Sequence, residues 1–215
     1  MNLILILGEY NKDAHKLLKK DAMLNGKIVC YDEKHQIYLR VYKPNYKKNY
    51  NFYRNNKMPI LYYLHGGGFC LGSRTWPNCH NCCLCLCSQL QAFVVAPDYR
   101  LAPEHRLPAA IEDGLNAVKW LQLQAKKKDK SNHSPACSKL LEHGVDFEKV
   151  FIMGDSSGGN IAHHLAVRFG SRSPELSPIR ICGYVLLAPF FGGSIRTKSE
   201  AQGPEPVLTL ESLDR

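Results

Sequence analysis

One serine in this chain stands where a serine can become a nucleophile. Ser156 lies in Gly154-Asp155-Ser156-Ser157-Gly158, a G-x-S-x-G run. The apolar stretch Lys149-Val150-Phe151-Ile152-Met153 precedes it, and a helix-like segment with Ile161, Leu165 and Val167 follows. A buried strand that turns at once into a helix leaves no room for side chains beside the turn, hence glycine at 154 and 158. The turn lifts the Ser156 hydroxyl above the sheet at a helix N-terminus. Free N–H groups and the helix dipole there favour the negative charge that grows when a serine attacks a carbonyl. A Gly-Ser turn that merely caps a helix is the alternative; the strand before and the helix after favour the nucleophile.

A second run, Tyr62-Tyr63-Leu64-His65-Gly66-Gly67-Gly68-Phe69-Cys70, closes another apolar stretch. Three consecutive glycines let backbone N–H groups converge on one point, as the donors to an oxyanion must. Alone, a glycine triplet equally makes a flexible loop. Beside a serine elbow it reads as the electrophile-binding half of an acyl-transfer site.

A third block, Pro97 to Asp113 (PDYRLAPEHRLPAAIED), completes a set that resembles the hormone-sensitive-lipase-type branch of the α/β-hydrolases. Phe69 to His80 (FCLGSRTWPNCH) and Gly192 to Pro204 (GGSIRTKSEAQGP) resemble plant carboxylesterases within that branch. The resemblance runs from about Lys27 to Arg215 and is thinnest around Lys126 to Gly144. It implies that Ser156 is the nucleophile and that the N–H groups of Gly67, Gly68 and Ser157 form the oxyanion hole. It implies a small-molecule carboxylic ester as substrate, cleaved through an acyl-serine, with neither metal nor organic cofactor. Asp155 and His65 then act as hydrogen-bonding supports. The plant gibberellin receptors are similar too, but carry serine at the third glycine of the first motif, where this chain keeps Gly68. A hormone-like receptor or catalytically dead binding protein on the same scaffold is the alternative reading.

These groups need a sheet to hold them. Lys27 to Tyr31 and the alternating run Gln36 to Tyr42 read as an antiparallel pair. Pro59 to Leu64, Ala92 to Ala96, Lys149 to Met153 and Cys182 to Leu187 are continuously apolar, as strands buried on both faces of a parallel sheet are. Between them, Ala109 to Leu123 is helical, with Ile111, Leu115, Val118 and Leu121 or Leu123 as its apolar stripe and Pro108 near its start. The fold class is therefore α/β: an α/β-hydrolase sheet, mostly parallel with an N-terminal antiparallel hairpin, flanked by helices on both faces. Residues 1–26 are expected to be a lid remnant and 27–215 an incomplete hydrolase domain.

The incompleteness is expected from the chemistry. A serine needs a histidine to take its proton and a carboxylate to orient that histidine, in the chain order Ser, Asp or Glu, His for this fold. After Ser156 the histidines are His163 and His164, both on the helix that begins at the nucleophile, and the last aspartate is Asp214. Two further βα units need roughly 60 residues, and 26 follow Pro189. The expectation is a C-terminally truncated form lacking the last strands, with little activity of its own. Gly203 to Glu211 reads as the start of a substrate-covering region.

Composition excludes several other classes. With 45% apolar and 22% charged residues, the chain is neither disordered nor fibrous. Its net charge of +9 would suit nucleic acid, but the densest basic run, Lys126 to Lys130, has no interleaved aromatics and reads as a solvated loop. Ile181 to Phe191 is too short to span a bilayer. Met1 to Glu9 lacks the features of a secretory signal, so the nine cysteines are expected as thiols in the cytoplasm. Cys79, Cys82, Cys83, Cys85 and Cys87 crowd together with His80. C-x-x-C spacing at Cys79 and Cys82 raises a zinc site, but no second ligand pair follows, and Asn81 to Leu90 reads as a helix packing thiols.

Overall fold

A computed structural model describes residues 26–44, 57–130, 144–192 and 198, with the side chains of 127–130 left out. The N-terminal lid segment, Gly26 apart, and the 203–211 region thus lie outside the described residues. Strands β1 (Lys27–Asp32), β2 (Ile37–Tyr42), β3 (Met58–Leu64), β4 (Phe93–Pro97), β5 (Val145–Asp155) and β6 (Ile181–Leu187) form one sheet, ordered β1-β2-β4-β3-β5-β6. β1 pairs antiparallel with β2, and β2 antiparallel with β4; β4, β3, β5 and β6 run parallel. All six expected strands are present, and β5 extends four residues N-terminal to the expected start.

Helices α1 (Pro77–Leu90), α2 (Ala109–Lys130) and α3 (Ser157–Phe169) cover the sheet. Because side chains alternate along a strand, each strand feeds two cores. Ile60, Tyr62 and Leu64 pack with Val95 and Ile152 against α2 and α3. Leu61 and Tyr63 pack with Val94, Ala96 and Met153 against α1. The thiols of Cys79, Cys83 and Cys87 line the inner face of α1, at helical spacing. Burial pushes the Cys82 thiol up to about 11 and that of Cys87 up to about 12, so both stay protonated at neutral pH and act as small apolar groups. His80 instead receives Tyr42 Oη at 3.0 Å and Arg40 Nη1 at 3.1 Å on its Nδ1.

One expectation needs correcting. Lys126 to Lys130 is not a loop, because α2 continues through Lys130. Gln, Ala and Lys are strong helix formers, and lysines at a helix C-terminus complement its dipole. The structure also decides the apolar stripe of α2: Leu121 is 0% and Leu123 53% exposed. Leu121→Ala should therefore cost about 2–5 kcal/mol in a urea titration, whereas Leu123→Ala should stay within about 0.5 kcal/mol.

Candidate active site

β3 and β5 are parallel neighbours in register, with Leu64 opposite Gly154. Two residues beyond Leu64 the glycine loop begins, and two beyond Gly154 stands Ser156. Adjacency of the two motifs thus follows from strand pairing. The approach is close: a Cβ on Gly158 would strike the carbonyl oxygens of Leu64 and His65, so the first turn of α3 sits directly against the root of the glycine loop.

Ser156 itself has φ 51° and ψ −117°, a strained conformation for a residue with a Cβ. Hydrogen bonds on both sides hold it there. Its N–H donates to Leu187 O at 2.9 Å, and its carbonyl accepts from Asn160 N at 3.0 Å and Phe190 N at 2.9 Å. The residue is half-buried, and among the described residues its hydroxyl has no hydrogen-bond partner.

In the glycine loop, Gly67 and Gly68 have φ of 131° and 61°. A tight turn forms as Cys70 N and Leu71 N both donate to Gly67 O, at 3.1 and 2.9 Å. The N–H groups of Gly67 and Gly68 have no acceptor among the described residues. Ser157 opens α3, where the first N–H groups have no intrahelical partner.

Asp155 and His65, flanking the serine and the glycine triplet, are both held by contacts of their own. Asp155 Oδ1 accepts from Tyr63 Oη at 2.8 Å, and its carboxylate lies against Gly66, where a Cβ would meet it. His65 is buried, with Nδ1–H donating to Gly66 O at 2.8 Å. Its ring stacks on Tyr99 at 4.3 Å, and Tyr99 Oη donates to His65 O at 2.7 Å. The block from Pro97 is tied down in turn. Arg74 N donates to Asp98 Oδ1 at 2.6 Å, and the two side chains form an ion pair. Arg100 Nε and Nη2 grip the fully buried Asp113 of α2.

Tyr63, Tyr99, Asn160 and Phe190 were not singled out from the sequence. Their partners lie 30 to 92 residues away, and no local spacing signals such contacts. Among the described residues His163 and His164 make other contacts than Ser156. His163 packs edge-on against Phe191 at 5.0 Å, and His164 is exposed on the outer face of α3.

Burial holds His65 below the usual imidazole range, and burial plus the Arg40 charge does the same to His80. A histidine that is neutral when folded takes up protons more readily when unfolded, so acid favours unfolding. Stability should fall as pH drops below about 6.5, the ordinary histidine value, and should be flat from pH 7 to 8. Melting temperatures across pH 5–8 check this, and His65→Gln should flatten the acid limb.

Among the described residues no group of three or more His, Cys, Asp or Glu could hold a metal ion, and no helix is long and apolar enough to cross a membrane. A family model described as alpha/beta hydrolase fold matches residues 61–215. A probable carboxylesterase 8 of Arabidopsis thaliana is 39% identical over 177 residues, which cover 82% of this chain and 51% of the relative. A 3-O-acetylpapaveroxine carboxylesterase of Papaver somniferum is 40% identical over 176 residues, covering 82% of this chain and 54% of the relative. The chain thus spans about half the length of the curated relatives it matches. Among solved structures, a hyperthermophilic esterase from the archaeon Pyrobaculum calidifontis superposes with a TM-score of 0.66 at 29% identity, over 100% of this chain and 63% of that one. A sheet of this order, a serine elbow facing a glycine loop, and a family match over most of the chain lead to one conclusion: the chain belongs to the α/β-hydrolase fold family and resembles its plant carboxylesterases.

Proposed function

We propose that the site performs the first half of carboxylic ester hydrolysis, with Ser156 as nucleophile and the N–H groups of Gly67, Gly68 and Ser157 as oxyanion donors. The observation that carries this reading is the conformation of Ser156: a strained serine, fixed by backbone hydrogen bonds, whose hydroxyl no described residue engages. Strain of this kind, about 1–3 kcal/mol, persists only where the surroundings impose it. The substrate is a small-molecule carboxylic ester, as the names of the carboxylesterase relatives suggest. As Ser156 Oγ bonds to the acyl carbon, the carbonyl oxygen becomes an anion facing preset donors. Each such donor is worth about 2.7–4 kcal/mol in the transition state.

The proton of Ser156 needs an acceptor that the described residues do not supply. Without a histidine base, an enzyme of this kind retains about 10³–10⁴ over water from the oxyanion hole and binding. Turnover of nitrophenyl esters by this 215-residue polypeptide is therefore expected to be feeble. A fluorophosphonate probe tests the nucleophile directly. Slow labelling at a single site, lost in Ser156→Ala, is expected; no labelling at excess probe, or labelling that survives Ser156→Ala, overturns the assignment. Labelling also separates this reading from that of a binding protein with an unreactive serine.

A further inference from the structure

A carboxylate stands against the glycine loop, and it belongs to Asp155, the residue before Ser156. A Cβ on Gly66 would strike Asp155 Oδ2, and the amide nitrogen of Gly67 is only two bonds from the Gly66 Cα. The N–H groups of Gly67 and Gly68 have no acceptor among the described residues. An anion and unsatisfied donors thus lie within a residue of each other and do not bond. Such bonds to a carboxylate are roughly twice as strong as neutral ones, so something must hold Asp155 back. Tyr63 is placed to do so. It pairs with Met153 across β3 and β5, and Asp155 faces the same side of β5 as Met153. Its buried ring packs with Leu61 and Met153 against Cys79 and Cys83 of α1. From there its hydroxyl donates to Asp155 Oδ1 at 2.8 Å. Burial holds the Tyr63 phenol well above the usual tyrosine range, so it stays a donor throughout the working pH range.

We infer that Tyr63 is a positioning residue that tethers the Asp155 carboxylate, so that this internal anion does not occupy the Gly67 and Gly68 donors an ester oxyanion needs. The inference rests on the reading of Ser156 and the glycine loop as an acyl-transfer site, and names a residue that keeps that site open. Released from Tyr63, Asp155 is a competitor attached to the site itself, at an effective concentration no dissolved ligand matches. Its charge also opposes the negative charge that grows on the carbonyl oxygen. A tyrosine present only to satisfy its own hydroxyl would have no effect that depends on the charge of residue 155.

A double-mutant cycle isolates the tether. Rate constants for fluorophosphonate labelling are measured for the native protein, Tyr63→Phe, Asp155→Asn and the double variant. Tyr63→Phe should slow labelling at least tenfold when Asp155 is present. In the Asp155→Asn background, where no charge is left to release, it should slow labelling less than twofold. Equal losses in both backgrounds, or no loss in either, overturns the inference. Hydrogen–deuterium exchange reads the donors directly. The Gly67 and Gly68 amides should exchange at least fivefold more slowly in Tyr63→Phe than in the native protein, and recover in the double variant. If Tyr63→Phe fails to fold by circular dichroism, exchange in the native protein decides: unprotected amides support the tether, and protected ones overturn it. The chemistry fails separately. Slowed exchange in Tyr63→Phe without labelling of the native protein removes the nucleophile and keeps the tether, while labelling with equal losses does the reverse.

Discussion

Asp113→Ala is expected to lower stability by about 3–5 kcal/mol, a large part of the 5–15 kcal/mol typical of a domain. Asp113 is fully buried on α2 and receives Arg100 N at 2.8 Å, Arg100 Nε at 2.9 Å and Arg100 Nη2 at 2.8 Å. Removing the carboxylate strips a guanidinium of its one well-buried counter-charge among the described residues and leaves the Arg100 N–H without its acceptor. The loss should appear as an earlier urea midpoint with unchanged slope. A paired change to apolar residues of similar size, Asp113→Leu with Arg100→Met, should regain much of it, since no unpaired charge then remains. If the single variant unfolds at the native midpoint, the ion pair is ornamental. The pair matters to the site because Tyr99, next to Arg100, stacks on His65 at the root of the glycine loop.

Gly158→Ala is expected to cost at least about 3 kcal/mol, the upper end of the usual overpacking range. The atoms in the way are the backbone carbonyls of Leu64 and His65, which cannot rotate aside as a side chain would. To admit one methyl group, α3 must lift from the end of β3. That moves Ser157 away from Gly67 and Gly68, so fluorophosphonate labelling at Ser156 should fall at least tenfold even in the molecules that remain folded. Thermal melts and labelling time courses, run together, separate the two effects. Labelling at the native rate would show that the elbow and the glycine loop do not act as a unit.

What could be read in the chain follows from how local each signal is. The four parallel strands were visible because burial on both faces demands unbroken apolar runs, and the elbow because a strand-to-helix turn that sharp tolerates little besides glycine. The helical continuation through Lys126–Lys130 is hidden because a dense run of like charge resembles a solvated loop, while the helix propensity of lysine leaves no periodic mark. Leu121 and Leu123 could not be told apart, since a long helix presents both near the margin of its stripe and only the sheet beneath selects one.

The sequence by itself determined that a serine, a glycine loop and a helix start occur in the right order, each at the end of an apolar strand. Those are short-range facts, written in neighbouring residues. Only the tertiary structure decided which side chains brace them. Tyr63 reaches Asp155 across 92 positions, and Tyr99 reaches His65 across 34. Asn160 and Phe190 meet across 30. Such contacts depend on strand order and helix placement, which result from burying both sheet faces at once. No stretch of chain encodes them alone.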